Sequence, residues 1–317
     1  MIQYLSTRLV QGIVLLFLVS LIVFSMLLLA PGSPLAVFAF SPGMTSEDLA
    51  RISAQMGLDR PIPVQYCEWL FRMLRGDWGV SYRDGEPVLK VIGGHLPATL
   101  LLMGSAMSVA AICGVWMGLK SAMRHRSLFD NVSTTFSVVA LSIPTFWFGL
   151  VAIFVFSVNL GWFPAGNMYT VGDHSLVGLL HHLVLPVSVL ALVEIAQWSR
   201  YMRSATLEVM NQDFVKTAKA KGLSERAILL RHIGRNAMLP MIPLAGLQLP
   251  SLFGGALVTE TVFTWPGMGR LFIDSLGYKD YPVIMGLMML SAVLVVIGSL
   301  CADIVVALVD PRIRLNK

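Results

Sequence analysis

Long continuous apolar runs, and not alternating polar and apolar positions, dominate this chain. Six of the runs reach the length of about 20 residues that a helix needs to cross a bilayer. They occupy residues 9–30, 96–119, 131–160, 183–201, 241–261 and 283–308. A transmembrane β-barrel would show short alternating segments instead. The pattern therefore predicts an all-α polytopic membrane protein with six transmembrane helices.

The predicted spans divide the chain into four parts. The first apolar run is longer than a typical signal-peptide core, and no convincing small-x-small cleavage site follows it, so we expect a retained helix. The parts are a tail with the first helix (1–30), an extracytoplasmic helical segment (31–95), a five-helix core (96–309) containing a cytoplasmic loop (202–240), and a cytoplasmic tail (310–317). Within the extracytoplasmic segment we predict a helix at 61–74.

Composition and charge support a membrane location and give an orientation. Of the 317 residues, 56% are hydrophobic and 13% are charged, whereas soluble domains carry about 25% charged residues. If the N-terminus is cytoplasmic, most lysines and arginines fall in cytoplasmic segments, and the short external segment 161–182 contains none. The positive-inside rule then predicts that both termini are cytoplasmic. The basic pI of about 9.2 is therefore a topology signal, and no nucleic-acid partner is expected.

The cytoplasmic loop carries the most informative local pattern. Asp213 can cap a short helix, and Gly222 ends it as a C-terminal glycine commonly does. Phe214, Val215 and Ala218 are expected on one face of this helix. A second amphipathic helix is predicted at residues 225–236.

Two interpretations of this loop remain open on periodicity alone. It could be an interfacial linker whose basic side chains meet anionic lipid headgroups. It could also be a docking element that presses a short helix into a protein partner.

Several motifs along the chain resemble one family of membrane proteins. They are Gly57-Leu58-Asp59-x-Pro61, Gly76-Asp77-x-Gly79-x-Ser81, Lys216-Thr217-Ala218-x-x-x-Gly222, Glu260-x-Val262-Phe263-x-x-Pro266-Gly267-x-Gly269 and Asp310-Pro311-Arg312. In this order they resemble the permease subunits of binding-protein-dependent ABC importers, in the form of the dipeptide, oligopeptide and nickel permeases (the first, B-type permease of the pair). Lys216 and Thr217 stand where the family's cytoplasmic "EAA" loop has Glu and Ala.

The resemblance implies a type I ABC importer permease fold and a non-catalytic subunit in the bacterial inner membrane. It implies four partner subunits and a membrane: a second homologous permease, two cytoplasmic ABC ATPases, an extracytoplasmic solute-binding protein, and lipid. The short loop helix would couple to the ATPases through Asp213, Phe214, Val215, Lys216, Thr217, Ala218, Lys221, Gly222 and Leu223. Substrates in such a family include dipeptides, oligopeptides, glutathione and nickel or other metal chelates.

The chain itself contains no phosphate-binding Gly-x-x-x-x-Gly-Lys-Ser/Thr loop. ATP and Mg²⁺ are therefore expected on the partner ATPases, and no cofactor is expected in this chain. His174, His181 and His182 lie close together in sequence, but we expect no metal site.

Polar and small residues within the predicted spans are the other candidates. Glu194 and Gln197 of the fourth helix could line the translocation pathway, or could form interhelical hydrogen bonds. Pro250 and Gly254 of the fifth helix could serve as hinges there, or could only allow close packing. On the second helix, small residues four apart (Ala110, Gly114 and Gly118) predict a close helix contact.

Two other classes of membrane protein have recognisable sequence features. An ion-coupled secondary transporter would usually show several intramembrane carboxylates and an internal repeat of broken helices. An intramembrane enzyme would show a motif such as His-Glu-x-x-His or Gly-x-Ser-x-Gly, and neither occurs in the sequence. Both classes fit the sequence less well than an importer permease does.

Overall fold

The computed structural model describes residues 2–29, 45, 47, 48, 51, 59–248 and 256–309. The helices are α1 (Ile2–Leu29), α2 (Ile62–Leu74), α3 (Val88–Met123), α4 (Leu128–Ser142), α5 (Thr145–Ala152, continued by π-helical Ile153–Asn159), α6 (Leu176–Met210), α7 (Asp213–Ala220), α8 (225–237, with Ile228–Gly234 π-helical), α9 (Met241–Gln248), α10 (Leu257–Val262), α11 (Met268–Tyr278) and α12 (Tyr281–Val309). No β-strand occurs among these described residues. The predicted all-α architecture is confirmed.

Helices α1, α3, α6 and α12 are each long and apolar enough to cross a membrane. They correspond to the first, second, fourth and sixth predicted spans, but α3 and α6 begin about two turns earlier than predicted, at Val88 and Leu176. Hydrophobicity marks only the membrane-crossing part of a helix, and both helices continue beyond that part. The hydroxyl of Ser175 caps the start of α6 by accepting a hydrogen bond from the N–H of Gly178 (3.0 Å).

The segment predicted as the third span, 131–160, does not form one continuous helix. It consists of α4 and of α5 with its π-helical extension, and the helix direction changes by 101° between these two parts. Pro144 has no N–H to donate, and the residue before a proline is disfavoured in helical geometry. Ile143 is accordingly extended, with φ −89° and ψ 126°.

The fifth predicted span, 241–261, is described only in part. Its ends form α9 and α10, whereas residues 249–255 lie outside the described residues. Pro250 and Gly254 are among the latter. The count of six spans and the orientation of the termini therefore remain predictions.

The centre of the bundle is the contact between α3 and α6, which run in the same direction. A Cβ on Gly114 would lie 2.5 Å from the Cβ of Trp198, and one on Gly118 would lie 2.4 Å from the carbonyl oxygen of Ser199. Such distances leave no room for a side chain, so the two backbones meet directly. The predicted close contact through the small residues of α3 is confirmed.

The predicted helix at 61–74 is observed as α2, which packs against α1. Tyr66 and Trp69 of α2 contact the ring of Phe24 of α1, with centroid distances of 5.4 and 5.7 Å. The hydroxyls of Ser20 and Tyr66 lie 2.8 Å apart and form a hydrogen bond. These contacts hold α2 on the helix bundle.

The Gly-Asp-x-Gly-x-Ser motif after α2 folds into a turn that is attached to the start of α12. Gly76 and Gly79 have φ values of +88° and +84°, which glycine adopts without a steric penalty. Ser81 donates its hydroxyl hydrogen to the buried carboxylate of Asp280 (2.5 Å), which also accepts the N–H of Tyr82 (3.1 Å). Burial raises the pKa of Tyr82 to about 12, and the nearby charge of Asp280 adds to the shift.

The motif that begins at Glu260 is likewise explained by a buried carboxylate. Glu260 accepts hydrogen bonds from the hydroxyl of Thr99 in α3 (2.8 Å) and from the N–H of Gly269 at the start of α11 (2.7 Å). A Cβ on Gly267 would lie 2.4 Å from this carboxylate, so only glycine fits there. The motif therefore fastens α10 and α11 to α3.

Candidate functional site

Helix α7 is attached to the rest of the protein by one face. Val215 and Ala218, three residues apart, are only 1% and 4% exposed. They pack against Ile228 and Ile233 of α8 in a small apolar cluster. The rest of the α7 surface is exposed and carries Phe214, Lys216, Thr217 and Lys219, and the turn after it exposes Lys221 and Leu223.

Asp213 does not cap α7, contrary to the prediction. Gln212 occupies the N-cap position and makes no capping hydrogen bond with its side chain. Asp213 is the first helical residue, and its carboxylate accepts a hydrogen bond from Nζ of Lys216 (2.9 Å). An acidic group in the first turn still interacts favourably with the helix dipole.

Phe214 lies at the edge of the face that carries Val215 and Ala218, as predicted, because a turn of about 100° per residue places it about 40° from Ala218. Its side chain is nevertheless 42% exposed, because the contact with α8 is centred on Val215 and Ala218. Phe214 is therefore the large apolar group that α7 presents outward, next to the lysines.

The predicted end of α7 at Gly222 is confirmed. Gly222 has φ +73°, and its N–H donates to the carbonyl of Lys219 (3.0 Å), while the N–H of Leu223 donates to that of Ala218 (3.4 Å). This pair of bonds is a Schellman C-cap. The glycine thus reverses the chain into α8, which the hydroxyl of Ser224 caps through the N–H of Ala227 (3.3 Å).

Helix α8 connects α7 to the central helices. Its residue Ala237 is buried in a cluster with Met241 of α9 and with Trp198 and Met202 of α6. Partly buried residues of α3, among them Val115, pack on the same cluster. The loop is therefore continuous with the packed core and does not extend freely from it.

Glu194 and Gln197 both lie on α6 and are partly buried. Gln248 of α9 donates from Nε2 to Oε2 of Glu194 (2.5 Å), and Trp198 donates from Nε1 to Oε1 of Gln248 (2.8 Å). The carboxylate is thus engaged in an interhelical hydrogen bond, which was the structural alternative for this residue. The pathway role of the four candidates, Glu194, Gln197, Pro250 and Gly254, remains a prediction.

Sequence reasoning missed a buried carboxylate at the start of α4. Asp130 is 2% exposed and accepts hydrogen bonds from Nε (2.6 Å) and Nη2 (2.9 Å) of Arg203 in α6. It also accepts from the hydroxyl of Ser121 in α3 (2.5 Å) and from the N–H of Arg126 (2.9 Å). The sequence feature that could have indicated Asp130 is the Ser-x-x-Asp helix start at 127–130. Arg203 was interpreted only as one of the cytoplasmic charges that set the orientation in the membrane.

His181 and His182, in the first turns of α6, make hydrogen bonds within the protein. Nδ1 of His182 lies 2.9 Å from the carbonyl oxygen of Gly166, its Nε2 lies 3.0 Å from the hydroxyl of Thr170, and Nε2 of His181 lies 2.7 Å from the carbonyl oxygen of Trp162. In the part of the chain that the structure describes, no group of three or more His, Cys, Asp or Glu is arranged to hold a metal ion. A hydrogen bond from the N–H of Ser175 holds the pKa of Asp173, just before α6, below its ordinary value.

Family comparison agrees with this architecture. The family described as binding-protein-dependent transport system inner membrane component matches residues 110–315. The model of the N-terminal part of such membrane components matches residues 1–103. The chain belongs to this permease family. Membership implies a solute-binding protein and an ATPase as partners, and the resemblance identified from the motifs is confirmed.

Relatives match the permease over its whole length. The oligopeptide transport system permease protein AppB of Bacillus subtilis (strain 168) is 44% identical over 316 residues, which is 99% of this chain and 100% of the relative. A putative peptide permease protein of Brucella suis biovar 1 is 40% identical over 320 residues and covers 100% of both chains.

Solved structures with the same fold are ABC transporters. A chain from inward-facing MetNI, a methionine ABC transporter, superposes with a TM-score of 0.55 at 16% identity, covering 70% of this chain and 97% of that one. A chain from an amino acid ABC transporter with histidines gives a TM-score of 0.54 at 17% identity, covering 68% and 93%. The ABC importer permease fold is therefore shared, although the sequences have diverged widely.

Proposed function

We propose that this permease is the transmembrane subunit of a peptide importer and forms half of its translocation pathway. A second homologous permease supplies the other half, two cytoplasmic ATPases drive the cycle, and a binding protein delivers the peptide from outside. Both termini and the loop 202–240 lie in the cytoplasm of a bacterial cell. The names of the relatives, which are oligopeptide and peptide permeases, support the substrate class.

The observation that carries the coupling role is the two-sided arrangement of α7. Val215 and Ala218 anchor it to α8, while Phe214, Leu223 and three lysines face outward. A short helix fixed on one side transmits a push, whereas a flexible loop would absorb it. An aromatic side chain with charged residues around it also matches the apolar core and polar rim of protein interfaces. We therefore propose that α7 is the coupling helix and that Phe214 is its anchor in a cleft of one ATPase.

The linker interpretation predicts a different outcome from the same geometry. A helix that only lies on anionic lipid would bind through its lysines together with apolar area, and would need no particular partner. Replacing Phe214 by Asp separates the two interpretations, because it removes the anchor and leaves the lysines and the buried face in place.

The test uses the affinity-tagged chain isolated in mild detergent from membranes of its own host. Phe214→Asp is expected to reduce the retained ATPase subunits, identified by mass spectrometry and by ATP hydrolysis in the eluate. Loss of an interface anchor costs about 2 kcal/mol or more, which weakens binding about 30-fold. Peptide uptake by cells should fall in parallel.

Phe71→Asp is the matched control. Phe71 is a 54% exposed phenylalanine on α2, at the end of the protein that we assign to the outside. The control should retain the ATPases in full. Equal retention by the wild type and by both variants would exclude α7 as the docking helix.

Substrate selection within the permease is a separate question. Glu194 is the candidate for contact with a cationic group such as a peptide amino terminus, and Gln248 would hold it in place. Gln197, Pro250 and Gly254 are proposed for the same pathway. Nickel chelates, other metal chelates and glutathione are the alternative cargoes within the family, and we propose neither a resident metal nor a cofactor for this chain. Catalysis is assigned to the ATPases alone.

A further inference from the structure

The contact between Asp130 and Arg203 has a geometry that fixes orientation. Nε and Nη2 of the guanidinium reach the two different oxygens of the carboxylate, at 2.6 and 2.9 Å. Two parallel bonds of this kind prevent one group from rotating about the other, which a single bond does not. Ser121 donates a third hydrogen bond from α3. One buried carboxylate therefore joins α3, α4 and α6.

Stability alone is a poor explanation for such a pair. Moving two charges out of water is costly, and well-packed apolar residues often replace a buried ion pair without loss of stability. The side chain of Asp130 is only 3% exposed and that of Arg203 is 28% exposed, so the acid in particular gives up nearly all its hydration. What the pair supplies, and apolar residues would not, is a fixed direction and register of α6 relative to α4.

Two further contacts, one helical turn away, hold α6 against the other two helices. Ser199, one helical turn before Arg203, has its carbonyl oxygen against Gly118, where a Cβ would lie 2.4 Å away. The hydroxyls of Ser137 in α4 and Ser199 are 3.1 Å apart and share a hydrogen bond. At this level α6 is therefore in direct contact with both α3 and α4.

Helix α7 is attached to the locked end of α6 by a very short connection. Arg203 lies seven residues before Met210, the last residue of α6, which is about 10 Å at 1.5 Å per residue. Only Asn211 and Gln212 separate α6 from α7, and Met210 packs on the apolar cluster of Val215. A displacement of α7 therefore reaches α6 directly.

We propose that Asp130 and Arg203 are positioning residues that join α3, α4 and α6 into one rigid arm, which carries the movement of α7 into the membrane domain. The inference rests on the coupling role of α7 proposed above. Without the pair, α6 moves with α7 while α4 does not follow, and ATP is hydrolysed without a matching movement of the pathway. The bend at Pro144 marks where the arm ends along α4.

The experiment measures peptide transported per ATP hydrolysed, with the complete importer reconstituted in liposomes with its binding protein. Arg203→Ala is expected to lower this ratio about tenfold, within the usual range of coupling free energies. Arg203→Lys keeps the charge but lacks the two-pronged geometry, and its ratio should fall to an intermediate value. A role limited to stability would lower transport and hydrolysis together with the amount of folded complex, and would leave the ratio unchanged.

Arg8→Ala is the matched control, because Arg8 of α1 forms an ion pair with Asp303 of α12 (3.1 Å) that lies outside the proposed arm. Its ratio should equal that of the wild type. An unchanged ratio for Arg203→Lys and for every Arg203→Ala complex that assembles would overturn the proposal. The two tests can fail separately: if Phe214→Asp keeps its ATPases but Arg203→Ala uncouples transport, the pair still joins the three helices, and the movement enters them through a segment other than α7.

Discussion

Gly222 offers the sharpest test of how rigid the coupling segment must be. The residue has φ +73°, and a Cβ added there would meet nothing within 4 Å. A substitution by alanine therefore causes no clash, and its whole cost is the left-handed backbone. That cost is about 1–2 kcal/mol for a residue with a Cβ.

This energy converts directly into a population. At about 1.4 kcal/mol per factor of ten, Gly222→Ala disfavours the turn after α7 about 5- to 30-fold relative to competing conformations. If docking requires this turn, the affinity of the ATPase for the permease should fall by up to that factor. Gly222→Asn should lose less, because asparagine is enriched in left-handed conformations.

The assay is a titration of purified ATPase onto the permease in nanodiscs. Gly172→Ala is the matched control, since Gly172 has φ +86° and an equally open Cβ position but lies between α5 and α6, in the segment we assign to the outside. It carries the same backbone penalty far from α7. Indistinguishable affinities for Gly222→Ala and Gly172→Ala would refute the reasoning.

Two further predictions concern the membrane helices. Gly118→Leu should lower the free energy of unfolding by about 1–3 kcal/mol or more, because its side chain collides with the backbone at Ser199. The yield of folded complex and its melting temperature should fall accordingly. Gly104→Leu on the same helix, where a Cβ meets nothing within 4 Å, should behave like the wild type, and equal losses would contradict the packing argument. Glu194→Gln retains the shape of the side chain but removes its charge, so uptake of cationic peptides should fall relative to neutral ones. Identical uptake profiles would remove Glu194 from the pathway.

Features that depend on short stretches of sequence could be predicted without the structure. Apolar runs identified the membrane helices because hydrocarbon admits only segments that satisfy their own backbone hydrogen bonds. Local chemistry placed the end of α7 at Gly222, since a left-handed residue at a helix end is usually glycine. The glycine-rich motifs identified the family, and the structure supplies their cause: buried carboxylates at Asp280 and Glu260 that accept hydrogen bonds from neighbouring segments.

Contacts between distant residues were decided only by the tertiary structure. The sequence places Asp130 and Arg203 73 positions apart, and nothing in either local pattern marks them as partners. The exposure of Phe214 was likewise decided by the fold, because how much of a short helix is buried depends on where α8 packs. The sequence alone therefore determined the membrane helices and the short loop helix, because those features follow from local hydrophobicity and backbone chemistry, and the resemblance of its motifs indicated the permease family. Only the fold showed which charges meet and which face of α7 remains exposed, because both depend on how separate helices pack.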